Sequence, residues 1–100
     1  MRKLTFAVTG QKLSKQGDFS GITAGSKGYL ICKVKTDDPD WMRAKKVMLF
    51  DEEYAVAVEA DGECAVPDEV TDGRSFKLRL IGQRGRTRMM TNPILIEQVK

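Results

Sequence analysis

The clearest alternation of apolar and polar positions runs over residues 76–82, where Phe76, Leu78 and Leu80 fall on one face and Lys77, Arg79 and Ile81 on the other. A period of two is that of a strand with one buried and one wetter face. Ahead of it, Cys64-Ala65-Val66 reads as a short apolar strand. Between the two, Pro67-Asp68-Glu69-Val70 reads as one helical turn, because proline suits the first helical position and acids suit the positive end of a helix. Asp72-Gly73 ends that turn. A strand, a helical corner and a second strand can carry a chain from one sheet of a β-sandwich to the other.

The same period recurs from the start of the chain. Leu4, Phe6 and Val8 alternate with Thr5, Ala7 and Thr9, predicting a strand that kinks at Gly10 and continues to an inward Leu13. Residues 14–28 hold four glycines and only Phe19 and Ile22 as large apolar residues. That is the composition of a long surface loop, with room for a short edge strand over 19–23. Residues 29–36 form the next expected strand, with Leu30, Cys32 and Val34 inward, and Asp37-Asp38-Pro39-Asp40 stops it. Trp41 follows at a strand-to-strand crossing, where a lone tryptophan is expected to anchor the core between sheets.

Residues 45–51 read as a strand with Val47 and Leu49 on one face and Met48 and Phe50 on the other. In residues 54–58, Tyr54, Val56 and Val58 form the expected core face. Asp61-Gly62 carries the signal of a tight hairpin turn, which predicts direct pairing of residues 54–59 with 63–66. A second hairpin tip falls at Gln83-Arg84-Gly85-Arg86; residues 87–90 return, Asn92-Pro93 breaks the pattern, and 94–99 form the last strand. The total is seven to nine short strands with no helix longer than one turn. The prediction is an all-β single domain over residues 1–100: a two-sheet antiparallel sandwich of immunoglobulin-like type, with a small barrel as the alternative. Phe50, Phe76, Leu78 and Leu80 join Trp41 as its expected core anchors.

Charge alters this picture more than overall composition does. The net charge of +3 conceals a segregation: residues 1–36 carry seven Lys/Arg against one acid, 37–72 three against twelve, and 73–100 seven against one. Either oppositely charged strands lie side by side within the molecule, the favoured arrangement, or acidic and basic faces meet between subunits. Arg84, Arg86 and Arg88 occupy alternate positions, with Arg74, Lys77 and Arg79 nearby in sequence. In an extended strand the first three would project from one face and could track phosphates, but Thr87 and Met89 stand where a stacking nucleic-acid binder places aromatics. The favoured role for these arginines is a solvated face pairing with Asp51, Glu52 and Glu53.

Few residues offer chemistry. The chain has no histidine and two cysteines, so a structural zinc site lacks ligands and no cofactor is expected. Cys32 and Cys64 are read as buried free thiols in preference to a bridge. Asp37, Asp38 and Asp40 lack calcium-loop spacing and are read as a turn that caps the Trp41 segment. Gly82 and Gly85 follow a strand but open no helix, so they do not form a phosphate cradle. Without a histidine, no Ser or Cys has an evident activating base, and an enzyme is not expected. No apolar run approaches the roughly 18 residues that span a bilayer, and the Leu4 to Val8 stretch is too short for a secretory core, so synthesis in the cytoplasm is expected.

Several framework segments together resemble the small β-sandwich modules of structural proteins in tailed bacteriophages and prophages of Gram-positive hosts. They are Val8-Thr9-Gly10-Gln11-Lys12-Leu13; Ala24-Gly25-Ser26 with Tyr29-Leu30; Trp41 with Lys46-Val47-Met48-Leu49-Phe50; Cys64-Ala65-Val66-Pro67-Asp68-Glu69-Val70; residues 76–82; and Thr91-Asn92. The resemblance spans nearly the whole chain, with a shorter tip after Phe50. It implies a virion protein of tail, baseplate or head decoration, partnered by itself or by other virion proteins and not by a membrane. The alternatives are a phage-encoded regulator that binds a host macromolecule, or a nucleic-acid-binding module using the basic hairpin of residues 74–88.

Overall fold

In the computed structural model, which describes residues 1–100, the first strand β1 (Arg2–Thr9) turns back through Gly10-Gln11 into β2 (Lys12–Gln16). The remaining strands are β3 (Leu30–Lys35), β4 (Lys45–Phe50), β5 (Tyr54–Ala57), β6 (Glu63–Ala65), β7 (Ser75–Arg84), β8 (Thr87–Met90) and β9 (Ile94–Glu97). One four-residue helix, α1 (Pro39–Met42), and one 3-10 turn (Asp68–Val70) complete the elements. Four strands form a sheet in the order β2-β1-β3-β6; the other five form a second sheet, β5-β4-β7-β8, with β9 also on β7. This is the expected all-β two-sheet sandwich, at nine strands.

Alternation explains which faces meet. Leu4, Phe6, Val8, Leu13, Leu30, Cys32 and Val34 of the first sheet meet Met48, Phe50, Phe76, Leu78, Leu80 and Ile96 of the second in one buried cluster. Tyr54, Val56 and Val58 pack against it half-buried, as their spacing predicts. The 3-10 turn carries the chain from β6 in one sheet to β7 in the other, as expected for the corner at 67–70. Trp41 is fully buried and does bridge the sheets. Its Nε1 donates to Gly10 O at 2.6 Å beside the first sheet, while its ring covers Gly82 in β7 so closely that a Cβ there would lie 2.6 Å from Cζ3.

Three local expectations are corrected. The sandwich is not wholly antiparallel, because β1 and β3 pair in parallel, Arg2 opposite Leu30 through Ala7 opposite Lys35. The cause is the connection: β2 runs back along β1 until Gln16 lies opposite Thr5, and the glycine-rich residues 17–29 then cross β1 to start β3 with Leu30 opposite Arg2 on the other side. Buried Ile22 and half-buried Phe19 pin the loop, and Val99 N–H donates to Ile22 O at 2.8 Å.

Asp61-Gly62 does not close a hairpin between β5 and β6. β5 pairs with β4 and β6 with β3, so these residues lie where the chain crosses between sheets. Gly62 is held on β3, where Val34 N–H donates to Gly62 O at 2.8 Å and a Cβ on Gly62 would meet Val34 O at 2.6 Å. The turn with two positive φ angles is at Asp51 (53°) and Glu52 (57°) instead, closed by Glu53 N–H donating to Phe50 O at 3.0 Å.

The first strand does not continue past a kink at Gly10 but turns back there into β2, a strand of its own, so Cys64 falls in the sixth strand. It lies directly opposite Cys32 in the same sheet, both thiols free and buried as expected. The acidic turn does cap the Trp41 segment, which is itself the helical turn α1. Asp38 caps it, Oδ1 accepting from Asp40 N–H at 3.0 Å and Oδ2 from Gly10 N–H at 2.8 Å, with Pro39 at the first position.

Candidate functional site

In an antiparallel pair, residues whose amides bond to the neighbouring strand alternate with residues whose amides point away. At the edge of a sheet the second set faces solvent and is a template for another strand. Four of the five outermost strands, β2, β6, β5 and β8, treat that set in two different ways, and β9 shares the β8 edge of its sheet.

Each edge of the four-stranded sheet is plugged at one residue, Leu13 on β2 and Glu63 on β6. On β2, Leu13 N–H donates to Asn92 Oδ1 at 2.9 Å and Asn92 Nδ2 donates to Leu13 O at 3.2 Å, so one side-chain amide mimics an added strand residue. Asn92 N–H also donates to Gln11 O at 3.3 Å. On β6, Glu63 N–H donates to Asp61 Oδ1 at 3.0 Å and Glu63 O accepts from Glu59 N–H at 2.9 Å.

On the five-stranded sheet, β5 at one edge and β8 at the other are bare. Val58 N–H donates to Lys46 O at 2.9 Å, so alternation turns the amides of Ala57 and Ala55 away from β4. Thr91 N–H donates to Leu80 O at 3.1 Å, which likewise turns those of Met90 and Arg88 away from β7. No backbone group outside the sheet bonds to any of these four residues. Acids flank β5: Glu52 and Glu53 before it, Glu59 and Asp61 after it. Of these, Glu53 acts on the Tyr54 hydroxyl, whose pKa is raised first by the Glu53 charge, then by burial, then by Glu69 and Asp51. Around β8 lie Arg84, Arg86 and Arg88, all exposed.

The six basic residues singled out from sequence do not make one row. Gln83 pairs with Arg88 and Arg84 with Thr87, so Arg84 and Arg88 point to opposite faces, and Arg86 sits on the turn beside Gly85. The alternate spacing is broken because a hairpin turn separates Arg84 from Arg88. Arg79 forms an ion pair with Glu52, Nε to Oε1 2.8 Å, the one expected pairing with the 51–53 acids that exists. Lys77 lies on the outer face opposite Leu95. Arg74 is at the far end of β7, a strand of ten residues that spans about 30 Å.

A second basic feature was not visible from spacing. Lys33 and Lys35 at the end of β3 and Lys45 and Lys46 at the start of β4 line one open cleft of about 840 Å³, with Met42, Val47 and Val58 among its apolar walls. None of the four lysines has a carboxylate within 4.0 Å, although Glu59 and Asp61 line the same cleft. Lys33 Nζ donates to Asp61 O, and Lys46 Nζ to Ala44 O at 3.3 Å. Burial lowers the Lys46 pKa. The two pairs stand on different sheets about ten residues apart in the chain, and only the topology brings them together.

Comparison of the chain with known protein families, with curated proteins and with solved structures finds no match.

Proposed function

We propose that this chain is a non-enzymatic structural subunit of a tailed-phage or prophage virion, in its tail, baseplate or head decoration, and that it acts by protein–protein assembly. The phage setting rests on the framework resemblance of the sequence. The assembly role rests on one observation: each edge of one sheet carries a side-chain plug, at Leu13 and at Glu63, while β5 and β8 on opposite edges of the other carry none. Folded β proteins ordinarily blunt such edges, so a pair left bare beside plugged ones is a surface for adding strands. The test is solution mass by light-scattering chromatography over a range of protein concentration, at low and high salt. Growth in mass with concentration, reversed by salt, is the expected result; a monomer under every condition excludes self-assembly.

The lysine-lined cleft supports a second role, a phage-encoded regulator that captures an acidic host macromolecule. A salt-indifferent monomer that retains an acidic partner from host lysate, and loses it when Lys35 and Lys45 are changed to Glu, would favour that role.

A further inference from the structure

The two bare edges belong to one sheet and lie on its opposite sides, about three strand spacings or 14 Å apart. β5 is antiparallel to β4, β4 to β7 and β7 to β8, so β5 and β8 run in opposite directions. Two copies set side by side in the same orientation therefore bring β8 of one antiparallel to β5 of the next. Like edges cannot match so well. Two β5 edges would face Glu53 and Glu59 with their own counterparts, and two β8 edges would do the same with Arg86 and Arg88.

We infer that the two edges are each other's partners: β8 of one copy pairs with β5 of the next, head to tail, continuing the five-stranded sheet from subunit to subunit. This rests on the assembly role proposed above and names its partner and register. Only residues with outward amides can pair, which are Ala55 and Ala57 on one strand and Arg88 and Met90 on the other. The register that pairs all four of them sets Ala57 against Arg88 and Ala55 against Met90. It also sets Glu59 against Arg86, joining the acidic and basic flanks. On the outer face, the row formed by Ala57, Val47, Ile81 and Met90 then runs on into Ala55 of the neighbour. Such a contact is heterologous, so it yields a ring where its rotation closes and a filament where it does not. A four-residue strand pair is small against the roughly 1,200–2,000 Å² of a stable interface, so association depends on concentration and gains from closure.

The test uses proline, which deletes an N–H. Ala57→Pro and Arg88→Pro each remove an outward donor and no bond within the sheet. Each variant alone is expected to be monomeric at concentrations where the parent assembles, and an equimolar mixture is expected to give a one-to-one dimer, because each keeps the edge the other lacks. Continued self-association of either variant, or a mixture that stays monomeric, overturns the pairing. A second set guards against misfolding: Glu59→Arg and Arg86→Glu each weaken association several-fold, and the double variant restores it. Failure of the double variant to recover overturns the register. A parent protein that is monomeric throughout removes the assembly role itself, whereas a parent that assembles alongside its proline variants removes only this pairing.

Discussion

Gly82 sits buried in β7 with the Trp41 ring in the space a side chain would need, Cζ3 at 2.6 Å and Cε3 at 3.0 Å from the position of a Cβ. Backbone φ is no obstacle there, so the requirement is steric. Gly82→Ala forces the indole to move and is expected to destabilise by about 1–3 kcal/mol, read from the denaturant midpoint. Trp41→Phe keeps much of the apolar contact but leaves Gly10 O without its donor, a cost of about 1–3 kcal/mol. The anchoring role of Trp41 was legible because so large a lone side chain beside a turn has few other places to go. That of Gly82 was not, since glycine in a strand marks a bulge, a bend or a close approach equally well. The thiols make a further residue-scale case. Cys32 and Cys64 face each other across β3 and β6, and the Cys32 pKa is raised well above its ordinary 9.0, first by a hydrogen bond with Cys64 and then by burial. The folded state therefore holds this proton more tightly than the unfolded chain does. Its stabilisation is complete below pH 9 and is lost as pH rises from there toward the folded pKa. Unfolding curves of Cys32→Ala are expected to decline less steeply than the parent's above pH 9.

Elements were read well where their signal is local and poorly where it is not. The faces of β1, β3, β4 and β7 follow from alternation, and the 3-10 corner from Pro67 with Asp68 and Glu69. Strand partners do not follow, because the residues that choose them lie far away in sequence. Asp61-Gly62 has the better hairpin composition, yet Asp51-Glu52 makes the turn. Asp51 is kept in its positive φ by bonds to β7: its N–H donates to Lys77 O at 2.9 Å and its Oδ1 accepts from Lys77 N–H at 2.8 Å. Asp51→Ala removes that acceptor and keeps the strain, and should cost about 1–2 kcal/mol. Glu52→Gly relieves strain of roughly 1 kcal/mol and gives up a half-exposed ion pair worth about as much, so its unfolding midpoint should move little. Asn92 shows the same dependence on distant partners. Its composition signal is that of a strand breaker, while its work is to plug β2. Asn92→Ala uncovers both polar groups of Leu13, and the expected outcome is about 1–3 kcal/mol of destabilisation with a raised tendency to aggregate on light scattering.

At the scale of the whole molecule, the three charge blocks are partly reconciled inside one subunit. Lys3 pairs with Glu63, Lys27 with Asp72 and Arg79 with Glu52, each joining an end block to the acidic middle. Those pairs leave Glu53 and Glu59 beside one bare edge and Arg84, Arg86 and Arg88 beside the other, so segregation within the chain becomes polarity across a sheet. The blocks were legible in the sequence, but their placement on opposite edges follows from the order β5-β4-β7-β8, which no local pattern encodes. This polarity has a signature that amide exchange can read residue by residue. In a dilute monomer the N–H groups of Val56, Val58 and Met89 are already bonded within the sheet, while those of Ala55, Ala57, Arg88 and Met90 face water and exchange fast. As concentration rises at low salt, the second set should gain protection together, and the first should change little. Added salt should reverse the gain, because the flanking charges are exposed and screened. Protection that spreads to both sets equally would indicate general tightening of the fold. Protection confined to β5 or to β8 alone would place the partner on a surface other than the opposite edge of a second copy.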